Sequence, residues 1–77
     1  MTEGIEPAEL AHTVAVDVIL SKYDPEDIDD LDVRATFDDG ELTVDIYLLV
    51  AGEDTAPVVT EAIERAVDAV DELMRDG

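Results

Sequence analysis

The chain has no cysteine and no tryptophan, one histidine, and only four lysines and arginines in 77 residues. Without cysteine there is no disulfide to staple a small fold and no thiolate for a metal or a covalent step. His12 has no second imidazole or thiolate to complete a transition-metal set, so it is expected at the surface or at the boundary of the core. Tyr23, Phe37 and Tyr47 are the only aromatics. They make no base-stacking platform, and the few cations make no basic stripe, so no nucleic acid is expected as a partner. No apolar run approaches the roughly 18 residues of a membrane span. The first residues lack the basic-then-apolar pattern of a secretory signal. A soluble, cytoplasmic protein without membrane contact is the expectation.

What the chain has in excess is acid. It carries 22 Asp and Glu and a net charge of −18, yet 47% of its residues are hydrophobic. Those apolar residues recur periodically, which disorder does not explain. The acid is spread along the whole chain, and Lys22 is the sole lysine. This resembles the surface of a cytosolic protein from a salt-accumulating archaeon. At molar salt the Debye length is about 3 Å, so neighbouring carboxylates tolerate one another. The alternative is an acidic surface shaped for a basic partner.

The segment from Leu31 to Val50 organises the rest. Leu31, Val33, Ala35 and Phe37 alternate with polar residues, as do Leu42, Val44, Ile46, Leu48 and Val50. A period of two places each apolar set on one face of a strand. Asp39-Gly40 between them suits the positive φ angles of a type I′ turn. With Asp38 facing Glu41, the register pairs Phe37 with Leu42, Ala35 with Val44, Val33 with Ile46 and Leu31 with Leu48. On the other face Thr36 meets Thr43, Arg34 meets Asp45 and Asp32 meets Tyr47. The Thr–Thr and Arg–Asp pairs are favourable across strands, and a slip of one residue would turn an apolar row outward.

Helices flank this hairpin. Glu6-Pro7 fits a helix start, and the first helix is expected from Pro7 to Lys22 or Tyr23. Leu10, Ala11, Val14, Ala15, Val18 and Ile19 form its broad apolar face. Val16 and Leu20 lie on another flank near Glu9 and His12; they either complete a core that wraps the helix or form a second contact surface. Asp24-Pro25 ends the helix, Asp24 can cap a short turn over Pro25 to Asp27, and Ile28 plugs that turn onto the core. The run Asp27, Asp29, Asp30, Asp32 fails the spacing of an EF-hand and reads as a solvated loop. The second helix starts near Asp54, Thr55 or Pro57, with Asp54 and Thr55 both suited to cap it, and runs to about Arg75. Its stripe is Val59, Ala62, Ile63, Ala66, Val67, Val70, Leu73 and Met74.

The expected fold is therefore one α+β domain over residues 1–77: an α-β-β-α chain in two layers, with the antiparallel hairpin covered on one face by both helices. Two strands leave two open edges, and two copies could form a four-stranded sheet. The segment DLDVRATFDDGELTVDIYL, Asp30 to Leu48, resembles the hairpin of a small archaeal family commonly encoded beside the prefoldin beta subunit. The flanking helices fit the same layout. The resemblance implies an α+β fold with no assigned activity, and a role near chaperoning or translation.

No catalytic constellation, phosphate loop or cofactor motif is present. Asp32 and Asp45 share a face of the hairpin, but an open sheet face excludes no water. The expectation is a non-enzymatic protein-interaction module that forms a homodimer or docks on a protein partner. Tyr47, Leu49, Val16 and Leu20 are its candidate contact residues. An accessory role with chaperone or translation machinery, or a small-ligand or enzymatic role at a subunit interface, stand as alternatives.

Overall fold

The computed structural model describes residues 6–75. Helix α1 spans Pro7–Lys22, a single 3-10 turn spans Pro25–Asp27, strands β1 and β2 span Asp30–Asp38 and Glu41–Leu49, and helix α2 spans Ala56–Arg75. This is the α-β-β-α order and α+β architecture expected from the sequence.

The hairpin forms in the expected register, pair for pair from Asp38↔Glu41 to Leu31↔Leu48, and adds Asp30↔Leu49 at its base. Asp39 and Gly40 take φ values of +56° and +79°. Two successive left-handed residues make the type I′ turn, whose twist matches that of the strands. One pair differs from expectation. Arg34 stands opposite Asp45, but its Nε donates to Asp32 Oδ2 at 3.1 Å instead. Asp32 lies two residues back on the same face, so both carboxylates are within reach of the guanidinium. On a solvated face the choice between them is worth little.

Pro7 opens α1, where its missing N–H goes unneeded. Glu6 supplies no side-chain cap; its carbonyl accepts the first helical bond from Leu10 N–H at 2.9 Å. Asp24 ends the helix in an extended conformation before Pro25. Its carboxylate caps nothing, contrary to expectation; its backbone carbonyl closes the 3-10 turn with Asp27 N–H at 2.9 Å. At the start of α2 the two expected caps divide the work. Asp54 Oδ1 accepts from Ala56 N–H at 3.2 Å, while Thr55 Oγ1 turns back and donates to the Leu48 carbonyl at 3.1 Å.

β1 leaves from the end of α1, and α2 starts from the end of β2. The antiparallel strands put both junctions at one end of the hairpin, so the helices run antiparallel on its apolar face. Lys22 Nζ lies 3.7 Å from Glu61 Oε1 at that end. The buried core joins Ala11, Ala15 and Ile19 of α1 to Ala62, Ala66 and Val70 of α2, with Leu48 and Val50 beneath. Four of these eight residues are alanines. Small side chains let the helices approach closely, but they bury little apolar area. Ile28 packs against this core from the 3-10 turn.

The inward row of the hairpin is only half-buried from Leu31 to Ile46; Leu48 alone among its residues is buried. The cause is topological. Among the described residues the sheet has two strands and no central one, so every inward side chain borders an edge that no other strand covers.

Candidate interaction site

The outer face of the hairpin is set by the period of two. It carries Asp30, Asp32, Arg34 and Thr36 from β1 and Thr43, Asp45, Tyr47 and Leu49 from β2. Near the base of the hairpin, Tyr47 faces Asp32 and Leu49 faces Asp30. Tyr47 is 55% exposed and Leu49 48% exposed. They form an apolar island in an acidic surface, on the side away from both helices.

Val16 and Leu20 lie elsewhere. Leu20 is exposed and Val16 half-buried on the flank of α1, and α1 covers the opposite face of the sheet. The structure therefore brings Tyr47 together with Leu49 but separates both from Val16 and Leu20. The four residues form two surfaces. Glu9, His12, Val16 and Leu20 follow one another at spacings of three and four, so they share a stripe. His12 is exposed, as expected.

Two concave features escaped the sequence reading. A groove between α1 and β1 is lined by Glu6, Ala8, Glu9 and His12 on the helix side and by Val33, Arg34 and Ala35 on the strand side. A smaller apolar hollow at the hairpin tip is lined chiefly by Phe37, Leu42, Val67, Val70 and Met74. Val67 and Met74 there are 44% and 52% exposed although both lie on the apolar stripe of α2. The length and path of the helices create both features, and neither is written in a local pattern.

The acidic loop has a structural use. Asp29 Oδ2 accepts from Ala51 N–H at 3.0 Å, and Asp29 N–H donates to the Leu49 carbonyl at 2.8 Å. The residue thus ties the entry of β1 to the exit of β2. Among the described residues no three His, Cys, Asp or Glu side chains converge as a metal-binding group. Asp32, Arg34 and Asp45 lie exposed on the outer face. Among the described residues no helix is long and apolar enough to cross a membrane.

Comparison with known proteins places this architecture. No family model matches the chain. An uncharacterized protein of Natronomonas pharaonis is 45% identical to it over 69 residues, covering 88% of this chain and 83% of that protein. The chain belongs to this small archaeal family. A crystal structure from Thermococcus onnurineus is similar with a TM-score of 0.75 and 24% identity, over 91% of this chain and 74% of that one. The solution structure of a hypothetical protein from Methanothermobacter thermautotrophicus is similar with a TM-score of 0.73 and 21% identity. That match spans 99% of this chain and 94% of the other. Both likenesses show the fold.

Proposed function

We propose that the protein is a small, non-enzymatic interaction module that binds a second protein chain through the outer face of its hairpin. The exposure of Tyr47 and Leu49 side by side carries this reading. An adjacent apolar pair in an acidic surface is where a partner gains most from contact. Full burial of an exposed apolar side chain is worth roughly 1.5–3 kcal/mol, and a partner covering the half of Tyr47 and Leu49 still exposed gains about half of that from each. A second copy is the simplest partner, because a two-fold axis sets the same island against itself. The resemblance to proteins encoded beside the prefoldin beta subunit favours chaperone or translation machinery as the source of a foreign partner.

Light scattering at molar potassium chloride, with affinity co-purification from a haloarchaeal lysate, tests the reading. The wild-type chain is expected at twice its 8.3 kDa mass or with a stoichiometric partner. Tyr47→Ser combined with Leu49→Ser is expected to return it to a folded monomer. A wild-type monomer that captures nothing, or a double variant that associates as before, refutes it.

We also infer that the protein works in a salt-filled cytoplasm. The haloarchaeal relative and the net charge of −18 support this. Dilution from molar to millimolar salt lengthens the Debye screening length from about 3 Å to tens of ångströms. Repulsion among carboxylates then opposes a core made half of alanine. Cooperative melting, followed by circular dichroism, is expected at molar salt and lost in dilute buffer. Equal melting in both would sink the salt argument.

A further inference from the structure

Among the described residues no further strand covers β1 or β2, and their two open edges differ as the register dictates. A two-residue turn is closed by a hydrogen-bonded pair, here Asp38↔Glu41, and bonded and non-bonded pairs alternate from it. The bonded pairs therefore include Thr36↔Thr43, Arg34↔Asp45 and Asp32↔Tyr47. Leu31, Val33, Ala35 and Phe37 belong to the non-bonded pairs, so their N–H and C=O groups point away from β2. On β2 the equivalent residues are Leu42, Val44, Ile46 and Leu48. The Leu48 carbonyl is already taken by Thr55 Oγ1, which confirms that it points outward. At β1 the groove beneath α1 runs along the edge at Val33 to Ala35.

A strand edge with a helix standing beside it is a place for one added strand. The groove measures about 630 Å³, room for several residues of extended chain. Ala8 on the helix and Ala35 on the strand leave space for its side chains. Alternate side chains of an added strand would face Val33, Ala35 and Ala8, which calls for apolar residues. The others would lie on the outer face beside Asp30 and Asp32, which calls for cations. Arg34, the one lysine or arginine of the lining among the described residues, is paired with Asp32.

A second copy fits this edge poorly. Antiparallel pairing of β1 with its own copy keeps both helix layers on one face and brings a second α1 over the same seam. Neighbouring strands stand about 4.8 Å apart, whereas packed helix axes need about 8–10 Å. We propose that the β1 edge binds an extended segment of a partner protein, alternating apolar and basic residues, as a third strand beneath α1. This rests on the reading of the chain as an interaction module but uses a surface separate from Tyr47 and Leu49.

The test is a titration at molar potassium chloride, where the fold is held, followed through backbone amide chemical shifts. The probe is a synthetic peptide as long as β1, nine residues, alternating valine with lysine. Saturable shifts are expected at Leu31, Val33, Ala35 and Phe37. Ala35→Pro removes an N–H that faces the open edge and not β2, so the hairpin stands while the added ladder loses a bond. Ala8→Trp fills the groove from the helix side and leaves the strand untouched. Each is expected to weaken binding about tenfold or more. Should Ala35→Pro fail to fold, Ala8→Trp carries the test. A peptide alternating valine with glutamate is expected to bind more weakly; equal binding removes the basic residues from the proposal. Four results overturn the proposal as a whole: no saturable shift at millimolar peptide, shifts centred on Tyr47 and Leu49 or on the β2 edge, undiminished binding to the folded variants, or β1-edge shifts that track protein concentration without peptide. The last would assign the edge to a second copy. Light scattering of the Tyr47 and Leu49 variant reads the other face, so the two ideas fail separately.

Discussion

The two helices of this protein are built on different plans. In α2 the apolar residues keep to one stripe, and Glu61, Glu64, Arg65, Asp68, Asp71, Glu72 and Arg75 fill the other side. In α1 the core stripe of Ala11, Ala15 and Ile19 shares the helix with Val16 and Leu20 on another flank. A clean stripe does not guarantee burial: Val67 and Met74 of α2 are about as exposed as Leu20 of α1. Patterning tells which side of a helix turns inward. How much of that side is covered depends on the width and length of what lies against it, and here that is a two-stranded sheet.

Substitutions along the two helices sharpen this contrast. Among the described residues Ile19 is the largest fully buried side chain. Ile19→Ala is expected to cost about 2–5 kcal/mol in urea denaturation at molar salt, because a core half made of alanine has little with which to fill the cavity. A loss below about 1 kcal/mol would mean that α1 is not the anchor of the core. Thr55→Val tests the start of α2, for which α1 has no counterpart. It leaves the Leu48 carbonyl without its hydroxyl partner and is expected to cost about 1 kcal/mol by the same assay. At the small end, Leu20→Ser and Met74→Ser are each expected to shift stability by no more than about 0.5 kcal/mol, one from each helix. A large loss at Leu20 alone would show that the second flank of α1 is covered in solution.

The hairpin register was legible pair for pair, because its signals are local; only the outer ends shifted by one residue, from Leu31 and Val50 to Asp30 and Leu49. Asp39-Gly40 selects the turn, the turn sets the register, and the apolar alternation agrees with both. Polar contacts were less legible. Arg34 had two carboxylates in reach on an open face, and it took Asp32 over Asp45. Asp24 was expected to cap with its side chain and uses its backbone. Of two caps foreseen for α2, Thr55 spends its hydroxyl on the neighbouring strand. In each case the competing partners differ little in energy, so packing nearby decides. Among the candidate contact residues, the exposure of Tyr47, Leu49 and Leu20 follows from face and flank assignments. That Tyr47 and Leu49 lie on the far side of the sheet from Val16 and Leu20 needed the helices in place.

The sequence by itself determined the order of elements, the strand register, the inward faces and the acidic character, since each depends on neighbours a few residues apart. Only the tertiary structure decided that α1 stands beside the β1 edge and forms a groove there. It also decided that Thr55 takes the Leu48 carbonyl at the other edge, and that the tip of α2 outreaches its cover. These depend on how far two helices extend over two strands. That distance is set by packing across the chain and appears in no single stretch of it.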